Sequence, residues 1–382
     1  MKKKKICISL VDRANYGRLK PLMLEIKKSN FFDLSIICSG SMLINRFGKT
    51  VNVVEKDGFK VNFKLYYEIE GSKSVTMAKT TGIAVVEFSN ALSLIKPDIF
   101  LIIGDRYQTL ASAISATYLK IPLIHIQGGE VSGTLDEYAR HAITKLSNLH
   151  FPATLNSKKN IIRMGENPKT VFNVGCPSSD MILAVKNKID PKIINSAGVG
   201  ANINFNRDFI VVLCHPDTIN FREKKNEVTE ILSSLDKLKL QTIWIWPNID
   251  AGSDDLSRQL RSFREKLNPN WLRLIKNLDP ENYIRLIKSA RCLVGNSSSF
   301  IRESSFFGTP VVMVGNRQNG REHAGNVLYC EISKTKILKS IKNQIKKKYR
   351  PSKLYGSGNV SKKIINMIKK YNPNKNKQLY FK

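Results

Sequence analysis

Short runs of consecutive apolar residues alternate with longer segments of helical period along most of the chain. The runs of the first half are KICISLV (5–11), LSIICSG (34–40), PDIFLIIG (97–104), IPLIHI (121–126) and VFNVG (171–175). Those of the second half are FIVVLCH (209–215), LQTIWIW (240–246), WLRLI (271–275), ARCLVG (290–295) and TPVVMVG (309–315). Strands buried on both faces have continuous apolar sequences, and helices between them are typical of parallel βαβ units. The pattern predicts an α/β fold with two doubly wound, Rossmann-like halves.

A polar stretch between the two series predicts the domain boundary. It runs from about residue 186 to 206 and contains the Asp190-Pro191 step and the sequence GVGAN. Proline and clustered small residues are typical of connections. We therefore predict a first domain over 1–185, a second over 186–357, and a C-terminal helix with a basic tail over 358–382. The chain of 382 residues is long enough for two separate cores.

Composition narrows the class of protein further. No apolar run approaches the roughly 20 residues that a membrane span needs. The six cysteines have neither a CxxC pair nor zinc-ligand spacing, and the five histidines show no metal-binding pair. Scattered cysteines favour free thiols in a reducing compartment. We therefore expect a cytoplasmic protein without a membrane partner, a structural disulfide or a metal.

Charge is the one unusual feature of the composition. The chain carries 62 basic and 31 acidic residues, a formal net charge of +31. The basic residues are spread along the chain, without a dense block or an aromatic-interleaved nucleic-acid motif. We interpret them as a lysine-biased, solvated surface and expect no nucleic-acid partner. A polyanion-binding protein stays open as an alternative, because such a charge attracts polyanions at low salt.

Polar residues follow the predicted strands, where ligands of open α/β sheets bind. Arg13, Arg106 and Arg317 each lie just past a strand, and a guanidinium group pairs well with phosphate oxygens. The segment GNSSSFIRE (295–303) leads from a strand into a helix, whose first amides bind anions. A plain helix cap by the serines from Ser297 to Ser299 is the alternative.

The same segment narrows the choice of nucleotide ligand. Neither GxxxxGK[ST] nor GxGxxG spacing follows any strand, which argues against ATP and NAD. Glu303, about one and a half turns after the serines, is a candidate acceptor for ribose hydroxyls. Its alternative role is to stabilise the helix dipole.

The segment QGGEVSGTLDEYARHAITKL (127–146) predicts a glycine-bearing loop followed by a helix. Its i,i+4 spacing pairs Asp136 with Arg140 and Glu137 with His141. Thr134 and Glu137 also have the spacing of a capping box. The acidic candidates for proton transfer are Asp105, Glu130, Asp136 and Glu137. His215, which follows a strand of the second half, is a candidate phosphate ligand or a core histidine.

These motifs together resemble the hydrolysing UDP-N-acetylglucosamine 2-epimerases, over nearly the whole chain. The most specific matches are GDRYQTLASAISA (104–116), GGEVSGTLDEYARHAITKL (128–146), PNIDAGS (247–253), GNSSSFIRE (295–303) and GNRQNGRE (315–322). The resemblance implies a glycosyltransferase-B-like fold, in which two Rossmann-like domains face a cleft. It also leads us to expect a homo-oligomer, either a dimer or a tetramer.

The resemblance further implies an activity and its residues. UDP-N-acetylglucosamine and water would give N-acetylmannosamine and UDP, by anti elimination to a 2-acetamidoglucal and addition of water, without a metal or redox cofactor. Such a reaction feeds sialic-acid-type sugar synthesis. The implied UDP ligands are Arg13, Arg106, Asn248, Ser297, Ser298, Glu303 and Arg317, with His215 near the β-phosphate. The implied residues on the reacting side are Asp105, Asp136, Glu137, Arg140 and His141, with Glu130 as a further acid and Gln127 as a substrate ligand.

Three positions depart from the family pattern. Gln127 stands where glutamate or histidine is usual, and a glutamine exchanges no proton near neutral pH. Met42 replaces a usual histidine, and Gly17 lacks a serine hydroxyl that the animal enzyme offers to UDP. A less polar pocket would suit a 6-deoxy sugar, so UDP-2,4-diacetamido-2,4,6-trideoxyglucose, of the legionaminic acid pathway, is the alternative substrate. A UDP-sugar glycosyltransferase is a more distant alternative, because fold alone does not exclude it.

Overall fold

Two parallel α/β sheets organise the chain. The computed structural model describes residues 3–71, 73–186, 188–216, 227–371 and 377–381, so part of the predicted basic tail lies outside the described residues. The first sheet has six strands and the second has seven. The predicted fold class of two doubly wound halves is confirmed. Within the described residues, no helix combines the length and apolar character that crossing a membrane requires.

The first sheet is parallel throughout, with the strand order β3-β2-β1-β4-β5-β6. This is the strand order of a classical dinucleotide-binding sheet, in which successive strands are added first on one side of the first strand and then on its other side. Its strands are β1 (Lys4–Leu10), β2 (Phe32–Ser39), β3 (Phe63–Leu65), β4 (Ile99–Ile103), β5 (Leu123–Ile126) and β6 (Leu149–Phe151).

The second sheet has the order β13-β12-β11-β8-β9-β10-β7, and only its edge strand β7 runs antiparallel to its neighbour. Its strands are β7 (Val199–Gly200), β8 (Phe209–Leu213), β9 (Gln241–Ile245), β10 (Leu272–Ile275), β11 (Cys292–Gly295), β12 (Val311–Val314) and β13 (Val327–Cys330).

Helices connect the strands in both halves. Those of the first half are α1 (Arg13–Lys28), α2 (Val51–Lys56), α3 (Ser74–Ile95), α4 (Tyr107–Tyr118), α5 (Asp136–Leu146), α6 (Leu155–Arg163) and α7 (Ser178–Ala184). Those that follow are α8 (Pro191–Ser196), α9 (Glu227–Leu238), α10 (Ser253–Leu267), α11 (Pro280–Ser289), α12 (Ser298–Ser305), α13 (Lys334–Gln344) and α14 (Val360–Lys370).

Both faces of each sheet are buried, which explains the continuous apolar runs. Successive side chains of a strand point to opposite faces. Ile6 and Ile8 of β1 therefore belong to one apolar cluster, and Cys7 belongs to the cluster on the other face. In the second sheet, Val211 and Val212 of β8 divide in the same way. Polar residues are left to the strand ends, where the chain leaves the core.

One of the ten predicted strands is wrong. VFNVG (171–175) forms only an isolated bridge, between Val171 and His150, and the sixth strand is instead β6. The three residues of β6 are too few to stand out as an apolar run, although all three are buried. Val171 and Val174 are buried as well, so burial without sheet pairing produced the misleading pattern.

The last helix returns to the first half of the molecule. α14 contacts α1, and Ile364 and Ile368 belong to the same apolar cluster as Ile6 of β1. The carboxylate of Asp180, on α7, accepts hydrogen bonds from the first backbone amides of α14, those of Val360 at 2.9 Å and Ser361 at 2.8 Å. The chain therefore crosses between the two halves twice.

Candidate active site

A cleft between the two halves collects the residues that follow the strands. It is lined by residues that come just after β1, β4, β8, β9, β11 and β12, together with side chains of α11 and α12. The space between the lining residues, including the part that is open to solvent, is about 1170 Å³. Ligands of open α/β sheets bind at this edge.

Ten of the predicted site residues line this cleft, and five do not. Those that line it are Arg13, Asp105, Arg106, Asp136, His215, Asn248, Ser297, Ser298, Glu303 and Arg317. Those that lie behind it are Gln127, Glu130, Glu137, Arg140 and His141. The structure therefore separates two groups of polar residues that the sequence places side by side.

The N-terminus of α12 forms one wall of the cleft. Ser297 is its N-cap residue, and its hydroxyl accepts a hydrogen bond from the amide of Ser299 at 3.3 Å. Ser298 and Ser299 also line the cleft, where the hydroxyl of Ser299 lies 2.6 Å from that of Tyr283. Ser297 thus caps the helix, as its alternative role suggested. The free amides and partial positive charge of a helix start suit an anion such as a diphosphate.

Two arginines add positive charge beside this wall. Arg317 is buried, and its Nε has no hydrogen-bond partner among the described residues, while one Nη lies 3.6 Å from the Asp136 carboxylate. Arg106 donates to Asp250 at 2.6 Å and lies 3.8 Å from Asp12. Burial lowers the pKa of Arg106, but the two carboxylates outweigh it and hold the pKa well above its usual value. Both groups are cationic at neutral pH.

Arg13 joins the two halves at the floor of the cleft. It is the first residue of α1, and it donates to the backbone carbonyls of Lys276, at 2.7 Å, and Trp246. Backbone carbonyls of the second half already accept hydrogen bonds from two nitrogens of the Arg13 guanidinium group. Its role as a phosphate ligand stays a prediction. The side chain still contributes to the lining.

Glu303 lines the cleft and has one carboxylate oxygen without a hydrogen-bond partner among the described residues. The residue is 4% exposed, and its Oε1 lies 3.8 Å from the Arg18 guanidinium group. Its Oε2 is buried without a hydrogen-bond partner among the described residues. A buried carboxylate oxygen of this kind is costly unless a donor satisfies it. A ligand hydroxyl would supply the missing donor.

His215 is held as a neutral imidazole with a defined tautomer. The backbone amide of Asn248 donates to its Nδ1 at 3.2 Å, so the ring proton lies on Nε2. Hydrogen bonds between the His215 backbone and the Asn296 side chain, at 2.7 and 2.8 Å, fix the position of the residue. Burial, followed by the charge of Arg317, lowers the pKa of His215 well below its usual value. The ring can therefore donate one hydrogen bond into the cleft.

Asp136 is the carboxylate best suited to exchange a proton. It lies at the start of α5 and accepts from the Thr134 hydroxyl at 3.2 Å, facing Arg317 across the cleft. Burial and the nearby Asp105 carboxylate raise the pKa of Asp136 to about 6, against the opposing effect of Arg317. A pKa close to neutral pH is the property that general acid–base catalysis requires.

Asp105 has the opposite character. Its Oδ2 accepts from Nε of Arg140 at 2.9 Å and from Nη2 at 2.5 Å. Burial raises the pKa of Asp105, but the charges of Arg140 and Arg321 outweigh it and hold the pKa well below the usual range. The carboxylate stays ionised and stabilises positive charge. Asp105 and Asp136 therefore differ in their protonation behaviour, as paired catalytic carboxylates commonly do.

The pairing predicted along α5 is partly wrong. Glu137 does pair with His141, at 2.9 Å. Arg140 pairs with Asp105 and Glu137 instead of Asp136, which faces Arg317. The Glu137 carboxylate accepts from the Ser132 amide at 2.7 Å, so the predicted capping box with Thr134 is absent. The buried Arg140 guanidinium group draws Glu137 away from the cleft.

Glu130 and Gln127 do not reach the cleft. The Glu130 carboxylate is buried between Arg302 and Arg321. The Gln127 amide accepts from Arg18 at 3.3 Å and donates to the Cys176 sulfur at 2.8 Å. These placements do not agree with the predicted roles, in which Glu130 transfers a proton and Gln127 contacts the substrate directly. The loop that follows β5 turns both side chains towards arginines that sequence spacing does not reveal.

The other two departures from the family pattern have different surroundings. Met42 is fully buried in the core beneath the first sheet and does not line the cleft. It therefore does not make the pocket less polar and gives no support to a 6-deoxy sugar. Gly17 does line the cleft, and a Cβ there would meet Pro280 at 3.7 Å, an ordinary contact. Space alone therefore does not exclude a serine at position 17.

Several lining residues were not anticipated. All of them are polar side chains, either within helices or at other positions of the quoted motifs: Arg18, Ser132, Tyr283, Gln318 and Arg321. Arg18 stands five residues after Arg13, and the GNRQNGRE motif contains Gln318 and Arg321. Among the described residues, no group of three His, Cys, Asp or Glu side chains is placed to hold a metal ion.

Comparisons with known proteins identify the family and agree with the fold. The family model described as UDP-N-acetylglucosamine 2-epimerase matches residues 24–369. The chain is 33% identical to UDP-N,N'-diacetylbacillosamine 2-epimerase (hydrolyzing) of Legionella pneumophila, over 96% of both chains. It is 34% identical to GDP/UDP-N,N'-diacetylbacillosamine 2-epimerase (hydrolyzing) of Campylobacter jejuni, over 87% of this chain and 86% of the relative. The crystal structure of UDP-GlcNAc 2-epimerase from Neisseria meningitidis superposes with a TM-score of 0.79 at 20% identity, covering 96% of this chain and all of the other.

Proposed function

This chain belongs to the UDP-N-acetylglucosamine 2-epimerase family, and from that premise we propose a specific substrate for it. It is a hydrolysing 2-epimerase of UDP-sugars. The proposed substrate is UDP-2,4-diacetamido-2,4,6-trideoxyglucose, which is another name for UDP-N,N'-diacetylbacillosamine. The proposed products are UDP and 2,4-diacetamido-2,4,6-trideoxymannose.

One observation carries the reaction type: Asp136 and the anion-binding start of α12 line the same cleft. Release of a diphosphate from sugar carbon 1 needs positive charge at the leaving group. Loss of the proton at carbon 2 needs a base with a pKa near neutrality. The Asp136 carboxylate lies 3.6 Å from an Nη atom of Arg317, so the candidate base and a positive charge for the leaving group lie close together.

The first step is elimination. The Asp136 carboxylate accepts the proton of carbon 2 while the bond between carbon 1 and the diphosphate oxygen breaks. The electron pair of the C2–H bond forms the C1–C2 double bond, and UDP leaves with the electrons of the C1–O bond. Arg317, the amides at the start of α12 and the Nε2–H of His215 stabilise the charge that develops on the phosphate.

The second step is hydration. Water adds its hydroxyl group to carbon 1, and a proton returns to carbon 2 on the face opposite to the one it left. Water supplies the hydroxyl group of carbon 1 and the hydrogen of carbon 2, and the proton that Asp136 accepted in the first step is released to solvent, so the two steps balance and the carboxylate is restored. Asp105, ionised beside Arg140, keeps this end of the cleft negative and favours the cationic character that develops at carbon 1.

The choice of sugar follows the relatives. The two relatives described above both carry the name of the diacetylbacillosamine compound, so the alternative substrate named in the sequence analysis receives better support than UDP-N-acetylglucosamine. The family description names UDP-N-acetylglucosamine, which makes that sugar the second candidate. The two differ at carbons 4 and 6, away from the reacting carbons.

A substrate panel in heavy water tests the proposal. Purified protein is incubated with each UDP-sugar in D₂O, and the products are followed by NMR. We expect free UDP and a manno-configured sugar with deuterium at carbon 2, with higher kcat/KM for the diacetamido substrate. A preference for UDP-N-acetylglucosamine would select the second candidate. UDP release only when a sugar acceptor is added would indicate a glycosyltransferase instead.

The pH dependence of activity is a separate prediction. Asp136 must be ionised to accept a proton, and its pKa is raised to about 6. At pH values below 6 the carboxyl group is protonated and inactive as a base; above 6 it is ionised. We therefore expect kcat/KM to rise with pH and level off above an apparent pKa of about 6. A profile that is flat through this range would contradict the assignment of Asp136 as the base.

A further inference from the structure

Glu130 is a buried carboxylate of the first half whose side-chain partners are two arginines of the second half. Its Oε1 accepts from Nε of Arg302 at 3.3 Å, and its Oε2 accepts from both Arg302 and Arg321. The exposed fractions of the three residues are 5%, 3% and 5%. Charged groups that are buried to this extent are stabilised by their ion-pair partners instead of by water, and removing one partner leaves the others as uncompensated buried charges. We call these three residues the Glu130 cluster.

The two arginines belong to the two segments that form the phosphate side of the cleft. Arg302 lies on α12, and its Nη1 donates to the Ser298 hydroxyl at 3.1 Å. Arg321 follows β12 and donates from Nε to the Gln318 side chain at 2.7 Å. Gln318 in turn donates to the backbone carbonyl of Asn296, directly before the N-cap of α12, at 3.0 Å. Both segments are therefore connected to the Glu130 carboxylate.

The same residue also contacts the sugar side of the cleft. The backbone carbonyl of Glu130 accepts from Nη1 of Arg140 at 2.8 Å. Arg140 binds Asp105 and Glu137, and it lies on the helix that begins with Asp136. Glu130 thus lies between the two parts of the cleft that must act on one substrate.

We infer that Glu130 is a positioning residue, which holds the start of α12 and the 317–321 loop against the first half so that the diphosphate site is complete. This inference rests on the proposed function, because the diphosphate is that of the UDP-sugar. It replaces the role in proton transfer that the sequence suggested for this glutamate. The structure provides the contact through Arg321, which both binds Glu130 and lines the cleft.

The test is Glu130→Gln in the full-length chain, with UDP affinity measured by calorimetry and kcat and KM measured on the UDP-sugar. The amide keeps the size of the side chain but turns N–H donors towards two guanidinium groups. We expect the Kd for UDP and the KM to rise on the order of 10²-fold, because removing one partner of a buried ion pair is strongly destabilising and here the cost falls on the segments that bind the diphosphate. The change in kcat should be much smaller, and the pH profile should keep its shape.

Glu166→Gln is the matched control. Glu166 is another buried carboxylate with several cationic or imidazole partners, Lys145, His150 and Lys377, and it does not line the cleft. We expect this variant to lose thermal stability to a similar extent and to keep the wild-type affinity for UDP. Equal weakening of UDP binding in both variants would overturn the inference, because the effect would then be general destabilisation.

Two further results would also overturn it. Wild-type UDP affinity in Glu130→Gln would show that the Glu130 cluster does not shape the site. A fall in kcat with loss of the acidic limb of the pH profile would show that Glu130 transfers the proton. Failure of the wild-type chain to bind UDP would instead contradict the proposed function, and the inference with it, before any variant is made.

Arg302→Gln keeps the test informative if Glu130→Gln does not fold. Arg302 does not line the cleft, so its loss acts on UDP indirectly, through the Glu130 cluster and through its hydrogen bond to Ser298. We expect weaker UDP binding in this variant. Where both single variants fold, the double variant should bind UDP no more weakly than Glu130→Gln, because residues that act through one cluster are not additive. Wild-type UDP affinity in Arg302→Gln, or additive losses in the double variant, would count against the inference.

Discussion

Asp136→Asn is expected to lower kcat about 10³-fold, within the range that removal of a general acid or base produces. The amide has nearly the same size and can still accept a hydrogen bond from Thr134, but it takes up no proton near neutral pH. The acidic limb of the pH profile should disappear, because the group whose pKa is raised to about 6 has been removed. Steady-state kinetics on the UDP-sugar between pH 5 and 8 measure both effects. Calorimetry with UDP measures the nucleotide affinity of the same variant.

Glu137→Gln is the matched variant for this prediction, because it makes the same change from acid to amide at the next residue of α5. The Glu137 carboxylate binds Ser132, Arg140 and His141 behind the cleft wall. Its loss should reduce kcat far less than the loss of Asp136. Similar activities for the two variants would contradict the roles assigned to them.

His215→Ala is expected to lower kcat about 10²-fold, which is the usual effect of removing one hydrogen-bond donor from a developing negative charge. The ring is neutral, and its Nδ1 already accepts from the Asn248 amide, so only the Nε2–H can serve the departing phosphate. Since His215 does not titrate near neutrality, the acidic limb of the pH profile should remain. Kinetics on the same substrate across the same pH range measure both quantities.

His323→Ala serves as the control for the histidine substitution. His323 is exposed and does not line the cleft, so the variant should have wild-type kcat and KM. If His215→Ala instead lost the acidic limb, His215 would be the titrating group and the assignment of the base would need revision. If His215→Ala kept full activity, the leaving group would depend on the arginines and helix amides alone.

These two predictions follow from the different protonation behaviour of titratable side chains that line the same cleft. Asp105 and Asp136 are both half-buried carboxylates of the first half, yet Arg140 keeps the first ionised while the second titrates near neutrality. The two groups repel each other, which contributes to the raised pKa of Asp136. Bound diphosphate would neutralise Arg317 in part, so we expect the substrate to raise the pKa of Asp136 further.

Part of this site follows from local sequence. An apolar run that is buried on both faces must end where the chain meets solvent, so the residues after β1, β4, β8, β9 and β11 could be named from the sequence. Asp105, His215 and Ser297 were found in this way, and all three line the cleft. The same logic failed for VFNVG, because a run can be buried without pairing in a sheet.

The acids of the segment 127–146 show where local sequence stops being informative. Glu130, Asp136 and Glu137 are chemically similar and close along the chain, yet only Asp136 lines the cleft. Neighbouring residues of a helix point about 100° apart, so Asp136 and Glu137 face different surroundings. Which of these directions is the cleft depends on how α5 packs against the rest of the first half.

By itself, the sequence determined the alternation of buried strands and helices and the positions where polar chemistry follows a strand, because both depend on neighbours along the chain. Only the tertiary structure decided which carboxylates are catalytic candidates and which are held by arginines. Arg302 lies 172 positions from Glu130, and Arg317 lies 181 positions from Asp136, as their residue numbers show. The pKa of a buried acid depends on charges within a few ångströms, and folding alone brings such distant residues together.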